Sequence, residues 1–385
     1  MNKKPFAKSK LFAPGPTKIP GAVLNAVGKQ VLHHRTPQFS EKVRHVQDEI
    51  GRLLTTSNDV LLFTCSGTGM MEAAVANMMS KGDKAIVCMN GVFGTRWRDI
   101  CRVYGVEPIE YAVDWGKSHD PTELASILDA NPDAKAVLVI HSETSTGALN
   151  DIRALGKVVA DHGAVMVVDA TSSVGVHEIK MDEWGVDAVV AGTQKAMMTP
   201  PGLAFVALNG RAWSLVTESD LPKFYFDFTT TWKRLQQKGQ TPYTPAVSLV
   251  FGLEVALQMM EDEGWEEVYA RHARMGEATR SAVKALGMSI LPEHPANGVT
   301  VAVCPEGWDA NKIVRVLDDD FGCRVAGGQL DLSGKVFRIG HMGGIKERDL
   351  PMVIGGLEQT LLKLGYTTEV GVGLAALQNV LAGKR

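Results

Sequence analysis

Val165-Met166-Val167-Val168-Asp169 and Ala188-Val189-Val190-Ala191 are short, almost wholly apolar runs, and the second leads straight into Gly192-Thr193-Gln194-Lys195. Runs with no polar alternation read as strands covered on both faces, the habit of a parallel sheet. Working outward, 59–64, 84–89, 136–140 and 204–208 read as further strands. Between them, 69–79, 93–104 and 152–162 carry apolar residues at helical spacing. The expected architecture is α/β, with a mostly parallel central sheet and helices on both of its faces.

A long helix over 246–287, broken near Gly264, is expected to lead to a second, smaller α/β unit. There 299–303 and 336–340 read as strands, and 311–318 and 350–364 as helices. The first twenty residues hold Pro5, Pro14, Gly15, Pro16 and Pro20, which forbids regular helix and predicts an extended arm. The expected division is an N-terminal arm (1–20), a large domain (21–262) and a small C-terminal domain (263–385), in keeping with a length of 385 residues.

Forty Lys and Arg against 43 Asp and Glu leave a net charge of −3, so no overall field favours nucleic acid or an anionic membrane. With 45% hydrophobic and 22% charged residues the chain reads as an ordinary folded protein, not as disordered or low-complexity. No apolar window is long enough to span a bilayer and no secretory signal is apparent. The five cysteines contain no Cys-x-x-Cys pair, so neither a disulfide framework nor a metal site is signalled. A cytoplasmic setting is expected.

In a sheet of this kind ligands bind beyond the carboxyl ends of the strands. Four segments fall there: Ser66-Gly67-Thr68-Gly69, His141-Ser142-Glu143-Thr144-Ser145-Thr146-Gly147, Asp169, and Gly192-Thr193-Gln194-Lys195. Ser66 to Gly69 opens a helix, where free N–H groups and the helix dipole suit a phosphate. It is no dinucleotide fingerprint, because position 72 is Glu72. Asp169 could cap a helix, bind a metal or face a cationic ring nitrogen. Lys195 stands before Ala196-Met197-Met198, an apolar setting that lowers an amine's pKa and favours imine chemistry. A phosphate cradle, an acid and a desolvated lysine together are what pyridoxal 5′-phosphate requires.

The sequence also resembles a known family, the class V aminotransferases of fold type I, in their alanine–glyoxylate and serine–glyoxylate (serine–pyruvate) branch. The resemblance is carried by Ala13-Pro14-Gly15-Pro16-Thr17, Ser66-Gly67-Thr68, Asn90-Gly91-Val92-Phe93-Gly94, His141 to Gly147, Val168-Asp169-Ala170, Gly192 to Ala196 and Phe337-Arg338-Ile339-Gly340. It implies a homodimeric transaminase that uses pyridoxal phosphate and exchanges an amino group between a small amino acid and a 2-oxo acid. Lys195 would hold the cofactor and move the proton, and Asp169 would pair with its ring nitrogen. Phe93 and Thr171 would take opposite faces of the ring, with Thr144 near the ring oxygen. Gly67, Thr68 and Gln194 would bind phosphate, with Ser66 close by. Tyr243 and Thr244, in 240–245, would reach the phosphate of the neighbouring subunit. Arg338 would take the substrate carboxylate. An arginine on an apolar strand demands either an anionic ligand or an internal carboxylate.

Two other readings compete. Cysteine desulfurases share the fold and keep a reactive cysteine before the carboxylate arginine. Cys323 precedes Arg338, but it lies in Phe321-Gly322-Cys323-Arg324-Val325, which reads as buried strand, and Gln194 stands where those enzymes have His. Some relatives bear the label of a small subunit of a soluble hydrogenase, and a non-catalytic partner would not need Lys195, Asp169 and Arg338 together. His33 and His34 could reach the site from the arm or simply end a solvated helix.

Overall fold

The computed structural model describes residues 9–384, so the first part of the expected arm, with Pro5, lies outside the described residues. A seven-stranded sheet forms the centre. In chain order its strands are β1 (Asp59–Phe63), β2 (Lys84–Met89), β3 (Glu107–Ala112), β4 (Ala134–Ile140), β5 (Val165–Asp169), β6 (Ala188–Gly192) and β7 (Ala204–Leu208). They lie side by side as β1-β7-β6-β5-β4-β2-β3. Only β7 runs against its neighbours, β1 and β6.

Successive residues of a strand point to opposite faces, and here each face has its own core. Met166 and Val168 enter one apolar cluster with Leu155 and Val159 of the helix Ile152–His162. Val165 and Val167 enter another with Met70 and Val75 of the helix Gly67–Met78. Double-sided burial, worth about 2 kcal/mol per aliphatic side chain, is why the strands are continuous apolar runs.

The second sheet is antiparallel: β8 (Ser289–Ile290), β9 (Val299–Val303), β10 (Ala326–Gly327) and β11 (Val336–Gly340), in the order β8-β9-β11-β10. Phe337 and Ile339 of β11 pack on helix residues Met275, Ile313 and Leu357. Arg338, between them in sequence, therefore projects from the opposite face, where it reaches the loop after β4. The arm is stitched to this part of the molecule. Lys10–Leu11 pairs in parallel with Cys323–Arg324, and Phe12 is fully buried in the same core.

The expected helix over 246–287 is two helices, Val247–Glu263 and Trp265–Ala285, interrupted at Gly264 with φ +86°. The helix expected from Gly69 begins two residues earlier, because Ser66 caps it by accepting the Gly69 N–H at 3.3 Å. Among the elements that went unread are β3 and the helices Pro121–Ala130, Gly210–Glu218, Phe228–Lys238 and Val372–Leu381. None of the described helices is long and apolar enough to cross a membrane.

Candidate active site

Strands β1, β4, β5 and β6 run in the same direction, so the segments that follow them meet at one edge. A cavity of about 200 Å³ opens there. Ser66, Gly67, Thr68, Phe93, Asp169, Thr171, Gln194 and Lys195 all line it. Eight positions scattered over 130 residues of sequence are thus brought to one place by the shared strand direction.

Lys195 follows β6 in a turn closed by the Met198 N–H on the Lys195 carbonyl at 3.0 Å. Met198 holds φ +58°, a strained conformation for a non-glycine residue and of a kind that clusters at functional sites. The arm folds over this turn. Thr17 donates its hydroxyl to the Lys195 carbonyl at 2.7 Å, and Lys195 Nζ donates to the Pro14 carbonyl at 3.0 Å. A Cβ on Gly15 would lie 2.4 Å from Lys195 Cε, so the close approach of arm and lysine requires glycine there. The Lys195 side chain lines the cavity. Burial, aided by the charge of Arg338 and opposed by Asp169 and Glu143, lowers its pKa from 10.5 to about 8.

Asp169 ends β5 and is 5% exposed. Burial raises its pKa, while the Thr171 N–H (2.8 Å to Oδ1), Lys195 and Arg96 oppose the rise. Thr171 in turn accepts the Gly192 N–H at 3.2 Å, tying the end of β5 to the end of β6. A Cβ on Gly67 would stand 2.7 Å from Thr171 Oγ1, so that glycine lets the helix start close against Thr171.

Phe93 lies in the first turn of the helix Val92–Val103, whose N-terminus is held by the carboxylate of Glu143. Arg338 is 8% exposed and donates through Nε to Gly327 O (2.9 Å) and through Nη1 to Thr144 O (3.1 Å). Its partners are two backbone carbonyls, and no carboxylate side chain bonds it among the described residues. Those carbonyls do not neutralise the positive charge, which the nearby Glu143 carboxylate favours without bonding it, and they leave Nη2 without a partner among the described residues.

Some expected residues stand elsewhere. Thr144 is buried and meets Arg338 through its carbonyl; it does not line the cavity. Tyr243 stacks on Tyr225 (ring centroids 5.5 Å apart) and Thr244 lies 3.5 Å from His34, along separate hollows. Within one chain, then, 240–245 and both arm histidines stay away from Lys195. Cys323 is fully buried between Gly322 and the Lys10–Leu11 pairing, and burial pushes its thiol up to about 11.

One residue was missed. Arg96 lines the cavity, donates to Thr68 Oγ1 at 2.7 Å and lies over the Phe93 ring, its guanidinium carbon 4.6 Å from the centroid. Its position one helical turn after Phe93 was the available signal, since residues three apart share a helix face.

The lining fits pyridoxal phosphate. The N–H groups of Gly67 and Thr68 at the helix start have no acceptor among the described residues, and Arg96 adds positive charge beside them. Gln194 Oε1 is buried without a hydrogen-bond partner, the kind of unmet group that a bound ligand or water satisfies. The space suits one small ring and its phosphate, not a dinucleotide.

The low pKa has a consequence for stability. In cofactor-free protein, folding disfavours the charged amine, so Lys195 costs stability below about pH 8 and the cost disappears as pH rises toward 10.5. Lys195→Met is expected to stabilise the cofactor-free chain at pH 7 by about 2 kcal/mol. Urea unfolding of both proteins from pH 7 to 10.5 checks this; a difference that stays constant with pH refutes it.

The chain resembles known proteins over almost its whole length. The model of the family described as "Aminotransferase class-V" matches residues 10–332. The chain is 41% identical over 380 residues to the "Soluble hydrogenase, small subunit" of a Synechococcus species, covering 97% of this chain and 99% of that one. It is 36% identical over 387 residues to serine–glyoxylate aminotransferase of Methylorubrum extorquens, covering 97% and 96%. The crystal structure of ureidoglycine–glyoxylate aminotransferase from Bacillus subtilis superposes with a TM-score of 0.92 at 26% identity, covering 99% of each chain. A lysine and an aspartate at one sheet edge, with a helix start beside them, are thus set in a chain alike from end to end to known transaminases: it belongs to the class V aminotransferases, pyridoxal-phosphate-dependent enzymes of fold type I.

Proposed function

We propose that this transaminase takes its amino group from a small amino acid, alanine or serine, and passes it to a 2-oxo acid such as glyoxylate or pyruvate in a ping-pong cycle. The meeting of Lys195 and Asp169 in one phosphate-ready cavity carries the reading. Relatives named for glyoxylate as acceptor support the choice of acid.

The bound cofactor supplies an aldehyde that condenses with amines and a protonated ring that withdraws electrons. The chain's own residues do the rest. Gly67, Thr68 and Gln194 hold the phosphate, with Ser66 and Arg96 beside them. Asp169 keeps the ring nitrogen protonated, its charge undiluted because water is largely excluded. Phe93 and Thr171, which both line the cavity, would take opposite faces of the ring. Lys195, with a pKa of about 8, is partly neutral near pH 7–8 and so suited to take the proton from the substrate Cα and return it. Arg338 offers Nη2 to the substrate carboxylate while its other nitrogens are fixed by Gly327 and Thr144.

The same proposal includes a homodimer in the cytoplasm, in which Tyr243 and Thr244 of each copy serve the phosphate of the other. Val31 and Phe224 are exposed by 50 and 80%; Val31 shares a hollow with Thr244 and Pro245, and the Phe224 ring lies 5.8 Å from that of Tyr243, so both accompany the 240–245 segment. A boundary between large and small domains at residues 262/263, next to the Gly264 break, belongs to this reading as well.

The hydrogenase label of one relative keeps a non-catalytic role in view. It leaves the lowered pKa of Lys195 and the unmatched Arg338 without purpose.

The decisive experiment loads the protein with pyridoxal phosphate and screens single amino acids for conversion of the cofactor to its amine form, followed by its return with glyoxylate or pyruvate. Protein that takes up no cofactor, or cofactor that no amino acid converts, overturns the proposal. Arg338→Ala is expected to raise KM for the amino donor by about 10- to 100-fold with cofactor content unchanged. Unchanged kinetics in that variant would remove Arg338 from the site.

A further inference from the structure

Glu143 is fully buried. A buried carboxylate is costly unless its lone pairs are met, and here four donors meet them. Oε2 accepts the N–H groups of Phe93 (2.9 Å) and Gly94 (3.1 Å). Oε1 accepts the N–H (3.1 Å) and the hydroxyl (2.5 Å) of Ser145. Burial raises the pKa of this carboxyl, and all four donors, backbone or hydroxyl, oppose that rise by favouring the ionised form. Gly91 makes room for the arrangement: a Cβ there would fall 2.4 Å from Ser145 Oγ and 2.5 Å from Glu143 Cγ.

The placement joins two parts of the site. The carboxylate fixes the first turn of the helix Val92–Val103, and with it the origin of the Phe93 side chain. The very next carbonyl, that of Thr144, takes Arg338 Nη1. A three-residue segment therefore links the residue assigned to the cofactor ring with the residue assigned to the substrate carboxylate.

We propose that Glu143 is a positioning residue that orients Phe93 and Arg338 together, so that the ring plane and the carboxylate fork keep one relation to each other. This rests on the roles given to Phe93 and Arg338 above. The charge has a second effect. It opposes the burial that lowers the pKa of Lys195 and of Arg338, favouring the protonated form of both.

Glu143→Gln is the test. An amide has one acceptor oxygen, so its NH2 must face one of the two donor pairs: toward Phe93 and Gly94 both hydrogen bonds are lost, and toward Ser145 the backbone bond is lost and the hydroxyl bond is reversed. In holoenzyme the circular dichroism of the bound cofactor is expected to weaken, and KM for the amino donor to rise about tenfold with a smaller change in kcat. In cofactor-free protein, acetylation of Lys195 by acetic anhydride, followed by mass spectrometry, is expected to move to lower pH. Glu143→Asp keeps the charge but is one methylene short, so it should restore the Lys195 profile and not the KM. A folded Glu143→Gln protein with wild-type dichroism, KM and labelling profile overturns the proposal, because a merely structural role would move only the melting temperature. Should Glu143→Gln fail to fold, Ser145→Ala removes the hydroxyl that donates to Glu143 Oε1 and accepts the Val92 N–H, and is expected to shift dichroism and KM in the same direction; wild-type values there overturn it equally. Wild-type protein that binds no pyridoxal phosphate refutes the transaminase reading instead, and the labelling comparison then decides the role of Glu143.

Discussion

Lys195→Ala is expected to lower turnover by at least about 10,000-fold, since both covalent attachment and proton transfer pass through that amine. The physical basis is local. The amine is enclosed by the turn 195–198 and by the arm, and burial leaves its pKa at about 8, where it both accepts and releases a proton. The purified variant should still take up pyridoxal phosphate through the helix start at Gly67, yet release it readily on dialysis. The measurement is the rate of 2-oxo acid formation from alanine or serine, together with cofactor retention. Activity within tenfold of wild type would sink the assignment. Methylamine added to the variant should restore part of the rate, because the cavity vacated by the side chain admits a small amine.

Asp169→Asn is expected to cost about 1,000-fold in kcat, with much less effect on cofactor content. Asn is close to isosteric and keeps the oxygen that accepts the Thr171 N–H, so the fold around β5 should stand. What disappears is the charge. Asp169 is only 5% exposed, so little water is present to screen it or replace it. Burial alone pushes its carboxyl upward, and a cationic ring nitrogen opposite would reverse that push. A cofactor analogue that cannot be protonated at that nitrogen should make wild type and variant equally slow. If the two remain far apart with that analogue, Asp169 acts otherwise than through the ring.

Much of this was legible in the residues. The strands β5 and β6 showed themselves because they are buried on both faces and therefore unbroken by polar residues. β3 did not. Glu107-Pro108-Ile109-Glu110-Tyr111-Ala112 is an edge strand paired on one side only, so it carries charge and even a proline, as edges do. The helix Phe228–Lys238 was hidden by Thr229, Thr230 and Thr231, poor helix formers whose cost is offset by the Asp227 cap and by Phe228 buried in the core.

At the site, chemistry-bearing residues that end a strand could be named in advance, since the strand's direction already tells where they lie. That covers Ser66, Gly67, Asp169, Gln194 and Lys195. Arg96 and the carbonyl partners of Arg338 could not be read this way. Hydrogen bonds such as those from Arg338 to Thr144 and Gly327 join segments far apart in the chain, and a carbonyl is present at every residue, so no side-chain pattern marks the one that is used. The linear order of residues thus carried the fold class, the family and the candidate reacting groups, because periodicity and residue type are local properties. The extent of the lysine's pKa shift and the charges that set it, the hydrogen-bond partners of Arg338 and the link through Glu143 came from the folded molecule, because burial and long-range contact exist only once β4, β5, β6 and β11 are brought together.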